Sequence, residues 1–198
     1  CRAPSPMKHL PNTLTVLRIV LTPLVLVGVA KDTPGWLFTA TVAFIVAALS
    51  DYYDGHLARR YGSHSRFGQF LDPLADKILV LGTLAILAWK HPSLAPWWAV
   101  AVIALRDLGV TLARSRAERA GHSLKTLGMA KTKTALQFTY LIATLVFLTA
   151  RAFGGPLGDL AGWILDTPLM PTMLVVLAAL TVYTGLPYLF KPQYSDAG

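Results

Sequence analysis

Asp51, Asp54, Asp72 and Asp76 make up four of the ten acidic residues in a chain of 198. The first two are spaced i, i+3 and the last two i, i+4, so on helices each pair shares one face. Four carboxylates brought together repel one another, and ionised groups are costly to bury, so the cluster asks for cations. Oxygen donors with no cysteine in the stretch favour a hard divalent ion, Mg²⁺ or Mn²⁺, over zinc. His56 is out of phase with the aspartate face and His64 falls in the turn between the pairs, so neither reads as a ligand. Gly55 and Ala58 lie beside the carboxylates, where small side chains let a neighbouring helix or a ligand approach the backbone.

The elements that must hold these residues read as membrane helices. Hydrophobic residues are 54% of the chain, mean hydropathy is +0.52, and charged residues are 14%. A soluble domain carries roughly 25% charged residues. Apolar runs predict an all-α integral membrane protein with six transmembrane helices, at Leu14–Ala30, Trp36–Leu57, Phe67–Trp89, Pro96–Ala117, Met129–Ala150 and Leu169–Phe190. Turn residues separate them, including Asp32-Thr33-Pro34-Gly35, the stretch from Tyr61 to Ser65, and a Gly/Pro-rich loop from Phe153 to Pro168. An even number of spans puts both termini on one side. That side gathers Lys8, Arg59, Arg60, Arg66, Arg114, Arg116, Arg119, Lys125, Lys131, Lys133 and Lys191, against Lys31, Lys90 and Arg151 opposite. The positive-inside rule makes the basic side cytoplasmic. An antiparallel hairpin of the second and third spans then faces the two aspartate pairs across a polar site at the cytoplasmic boundary.

Residues 7–192 are expected to form a single membrane domain, with residues 1–6 ahead of Met7 outside it and residues 193–198 a short tail. A lone Cys1 excludes a disulfide framework. The net charge of +8 suits topology and anionic headgroups. Nucleic acid is not an expected partner, since no aromatic-interleaved basic module is present.

The run Asp51-Tyr52-Tyr53-Asp54-Gly55-His56-Leu57-Ala58-Arg59, followed by Gly68, Asp72 and Asp76, resembles the DxxDGxxAR-x8-GxxxDxxxD signature of the CDP-alcohol phosphatidyltransferases. Eight fixed positions at fixed spacing make this specific. Pro11 to Arg18, Arg106-Asp107 with Arg114, and Lys131-Thr132-Lys133-Thr134 with Gln137 resemble the branch of that family that makes phosphatidylglycerophosphate. Two positions depart: Asp107 stands where members usually carry Glu, and Ala130 where they carry Gly.

The resemblance implies transfer of a phosphatidyl group from CDP-diacylglycerol to sn-glycerol 3-phosphate, with release of CMP, in a bacterial cytoplasmic membrane. It implies two divalent ions on Asp51, Asp54, Asp72 and Asp76, with Asp76 also the catalytic base. Asp51, Gly55, Ala58 and Arg59 would bind the CDP moiety. The acceptor phosphate needs cations, for which the resemblance offers Arg18, Arg106, Arg114, Lys131 and Lys133. It further implies membrane lipid as surroundings and a homodimer.

Arg18 and Arg106 fall inside apolar runs, where an unpaired charge is costly, and the competing reading of Arg106 is internal pairing with an aspartate. Other readings stay open: a different acceptor, as in the cardiolipin synthases; an intramembrane prenyltransferase; or a divalent-cation channel or carrier, although a cation path has no use for five basic residues at its mouth.

Overall fold

The described residues form seven α-helices: α1 (Leu10–Lys31), α2 (Pro34–Tyr61), α3 (Arg66–Lys90), α4 (Trp97–Arg119), α5 (Gly128–Phe153), α6 (Gly155–Asp166) and α7 (Leu169–Phe190). Two-residue strands β1 (Ser123–Leu124) and β2 (Tyr194–Ser195) pair antiparallel. The structure is a computed structural model; it describes the backbone of residues 10–61, 66–119, 123–124, 128–190 and 194–195, and the side chains of residues 17–50, 77–112 and 133–184.

Local sequence explains the breaks. Between α1 and α2, Asp32 takes a positive φ of 52° and its N–H donates back to the Gly28 carbonyl, closing α1. Pro34 then opens α2, where a missing N–H costs nothing. Between α5 and α6, Gly154 and Gly155 both sit at φ 74°, a conformation open to glycine.

That second turn corrects the sequence expectation. The stretch read as a loop from Phe153 to Pro168 contains α6, of 12 residues, with Gly158, Ala161 and Leu165 buried. The glycines and Pro156 mark a start rather than an absence of structure, because proline is tolerated in a first helical turn.

α1 packs on α2 and α3, α2 also on α5, α4 on α3 and α7, and α5 on α6 and α7. The core between them centres on Leu37, Phe44, Leu79, Leu84, Ile103, Leu141, Leu145 and Leu174, all buried. α1 and α2 come very close: a Cβ on Gly28 would lie 2.7 Å from the Ala40 Cβ and 2.7 Å from the Trp36 carbonyl oxygen. Threonines carry the polar contacts inside. Thr41 on α2 and Thr149 on α5 hydrogen-bond at 2.8 Å, and the Tyr140 hydroxyl donates to the Leu94 carbonyl at 2.9 Å, tying α5 to the α3–α4 connection.

The outward surface is also apolar: Val20, Leu105, Leu112, Trp163 and Val176 are each more than half exposed. Among the described residues, Lys133–Phe153 (21 residues, mean hydropathy 1.5) is long and apolar enough to cross a bilayer. Gly155–Asp166 and Leu169–Thr184 pass the same test only as a pair bent by 51°. Length and composition of the described helices thus establish fewer spans than the six expected.

Candidate functional site

α2 carries Asp51, Asp54, Gly55, Ala58 and Arg59 along its last turns, and α3 carries Asp72 and Asp76 along its first turns. The side chains of these residues, and of Arg114 and Lys131, lie outside the described residues. What the backbone contributes is the order: two helices run into and out of one short connection with an aspartate pair on each. Three oxygen-donor positions or more on such a pair suit a divalent ion of the Mg²⁺ kind.

Beside the end of that motif lies a buried ion cluster. Asp107 on α4 is 1% exposed, and Lys133 on α5 is also 1% exposed. The Lys133 ammonium donates to Asp107 Oδ1. Arg106 Nη1 reaches the same oxygen at 3.2 Å, and Lys77 Nζ on α3 approaches Oδ2 at 3.6 Å. Arg106 Nη2 donates to the Thr184 hydroxyl of α7 at 3.1 Å, so α7 joins the cluster through Arg106. Among the described residues, three cations converge on one carboxylate in a place largely withdrawn from water. Cations gathered in this way suit an anionic ligand such as a phosphate group.

Two of the cations expected from the sequence, Arg106 and Lys133, are therefore brought together. The internal pairing weighed for Arg106 is present, with Asp107 as the partner, and it is shared rather than exclusive. Arg18 is 1% exposed on α1, which packs on α2 and α3. Among the described residues, the ion-pair partners of Asp107 are Lys77, Arg106 and Lys133.

Sequence reasoning missed Lys77 and Thr184. Lys77 follows Asp76 directly, and a basic residue at an aspartate's shoulder in an apolar run was a usable signal. Thr184 had none, because threonines recur throughout these helices.

Comparison with known proteins agrees with the fold and the family resemblance. Residues 8–187 match the CDP-alcohol phosphatidyltransferase family. A Mycobacterium tuberculosis protein named "Probable phosphatidylglycerophosphate synthase" is 35% identical over 194 residues, 92% of this chain and 81% of that one. The CDP-diacylglycerol–glycerol-3-phosphate 3-phosphatidyltransferase of Bacillus subtilis is 33% identical over 171 residues, 80% of this chain and 88% of that one. The crystal structure of M. tuberculosis phosphatidylinositol phosphate synthase in apo form superposes with a TM-score of 0.55, at 22% identity, over 89% of this chain and 86% of that one. At that identity it speaks for the fold alone.

The chain belongs to the CDP-alcohol phosphatidyltransferase family. It is accordingly a transferase of phospholipid biosynthesis, in a family that works with divalent metal ions.

Proposed function

We propose that the protein transfers the phosphatidyl group of CDP-diacylglycerol to sn-glycerol 3-phosphate, releasing CMP and forming phosphatidylglycerophosphate. One observation carries the acceptor: Lys77, Arg106 and Lys133 converge on the carboxylate of Asp107, a concentration of cations suited to a phosphate monoester. The relatives' names point the same way.

In this reading Asp51, Asp54, Asp72 and Asp76 hold two divalent ions, Mg²⁺ or Mn²⁺, which when bound neutralise the diphosphate and polarise the phosphorus under attack. Gly55 and Ala58 leave room for the cytidine, and Arg59 pairs with the diphosphate. The acceptor phosphate sits on Arg106 and Lys133, with Arg18, Arg114 and Lys131 completing the cationic surroundings. Asp76 accepts the proton of the acceptor's primary hydroxyl as that oxygen bonds to the phosphatidyl phosphorus. The bond from that phosphorus to the CMP oxygen breaks, and CMP leaves with the electron pair. Lys77, the next residue after Asp76, is tied to Asp107, so donor chemistry on α3 and acceptor binding on α4 and α5 share one anchor.

Residues 7–192 form one domain with six spans, both termini and the site facing the cytoplasm, as a homodimer in a bacterial inner membrane. The apolar outward faces of α1, α4, α6 and α7 support immersion in lipid. The test is direct: purified protein, CDP-diacylglycerol, Mg²⁺ and labelled acceptors, followed by product identification. Phosphatidylglycerophosphate is expected from sn-glycerol 3-phosphate. Cardiolipin from phosphatidylglycerol, or cation flux without CMP release, would replace the proposal.

A further inference from the structure

Seven threonines are buried among the described residues, and six have engaged hydroxyls. Thr22, Thr41, Thr83, Thr144 and Thr184 donate to the carbonyl four residues back, and Thr149 pairs with Thr41. Thr181 is 0% exposed and its hydroxyl has no hydrogen-bond partner. Among the other buried donors in that state are the Gln137 amide nitrogen, on a residue 1% exposed, and Arg106 Nε. Orphaned buried donors are rare in folded proteins and cost free energy, so three near one ion cluster call for an explanation.

Their level follows from two contacts. Thr144 Oγ1 on α5 meets Met170 Sδ on α7 at 3.9 Å. At the other end Lys133 and Thr184 are joined through Asp107 and Arg106, so α5 and α7 run antiparallel. Eleven residues from the Thr144–Met170 contact, at equal rise, bring α5 to Lys133 and α7 to Thr181. Gln137 lies one turn from Lys133 on the same face, and Arg106 is itself in the cluster. The orphaned donors thus border the ion cluster.

We propose that Gln137, Thr181 and Arg106 Nε are hydrogen-bonding contacts for the hydroxyl-bearing carbon chain of the acceptor, making this subsite a reader of small polyol phosphates. The proposal rests on the acceptor reading above and deepens it. Cations alone hold any phosphate monoester. Neutral donors that are satisfied only by a substrate hydroxyl reject an analogue lacking it, because the donors then stay buried and unpaired.

The probe is 3-hydroxypropyl phosphate, which keeps the phosphate and the attacking primary hydroxyl of sn-glycerol 3-phosphate and lacks the middle hydroxyl. The wild-type enzyme is expected to prefer sn-glycerol 3-phosphate by about ten- to hundredfold in kcat/KM. Gln137→Leu and Thr181→Val are expected to bring that ratio near unity with KM for CDP-diacylglycerol unchanged, and Thr181→Ser to restore it. Without acceptor, Thr181→Val is expected to melt no lower than wild type, since it removes an unpaired hydroxyl. A ratio unchanged in both variants, no preference in the wild type, or a lower melting point for Thr181→Val overturns the proposal. Failure of the wild type to turn over sn-glycerol 3-phosphate at all refutes the acceptor reading itself, and this proposal with it.

Discussion

Lys133 on α5 and Asp107 on α4, 26 residues apart in sequence, form an ion pair with both side chains withdrawn from solvent. Asp107 is at once the counterion of Lys133, Arg106 and Lys77, so it fixes the spacing of cations on three helices. Its removal takes away the counterion these three cations share. Asp107→Asn, which keeps the shape and removes the charge, is expected to destabilise the protein in detergent by about 3 to 5 kcal/mol. Thermal or denaturant unfolding measures this, and Asp107→Glu is expected to recover much of the loss. Equal stability of Asp107→Asn and wild type would mean the carboxylate is not the anchor of the cluster.

The aspartate motif predicts strict dependence on divalent cation. Asp54→Asn and Asp72→Asn are expected to abolish CMP release while leaving the circular dichroism of a folded helical protein. Excess chelator is expected to do the same to the wild type, reversibly on adding Mg²⁺ or Mn²⁺. Undiminished turnover in chelator would remove the metal from the mechanism.

Asp76 is expected to separate binding from transfer. Asp76→Asn should retain CDP-diacylglycerol binding, read by equilibrium titration, and lose phosphatidyl transfer, because its base role concerns the acceptor hydroxyl. Parallel loss of donor binding would make Asp76 a metal ligand only.

Glycine positions give opposite signs for one chemical change. Gly28→Ala adds a Cβ that meets the Ala40 Cβ and the Trp36 carbonyl at 2.7 Å, so α1 and α2 must move apart. A loss of about 1 to 3 kcal/mol is expected, outweighing the better helix propensity of alanine. A Cβ on Gly109 meets nothing within 4 Å, so Gly109→Ala is expected to be neutral or to stabilise by up to about 1 kcal/mol. Comparing melting points of the two variants decides it.

The parts legible in the sequence were those with spacing or with charge out of place. Arg106 read from being basic within an apolar run and Lys133 from the family resemblance; the aspartate motif rests on its i, i+3 and i, i+4 intervals, and its side chains lie outside the described residues. α6 was missed because Gly154, Gly155 and Pro156 signal a break, and that signal does not say that a helix starts directly after it. Thr181 could not be told from Thr144 or Thr184 by sequence. What sets it apart is a hydroxyl left without a partner, which is a property of packing. Lys77 was basic within an apolar run, but its ion pair with Asp107 on another helix is a product of packing.

The most direct measurement compares kcat/KM for sn-glycerol 3-phosphate and for glycerol, in the wild type and in Lys133→Ala and Arg106→Ala. A charge-assisted hydrogen bond to phosphate is worth roughly 1.5 to 3 kcal/mol, about ten- to hundredfold in affinity. If the cluster on Asp107 holds the acceptor phosphate, each variant raises KM for sn-glycerol 3-phosphate by that factor and leaves KM for CDP-diacylglycerol in place, narrowing the preference over glycerol. If both variants keep the wild-type preference, or if glycerol serves the wild type as well as its phosphate does, the cluster is a structural knot and the acceptor binds elsewhere.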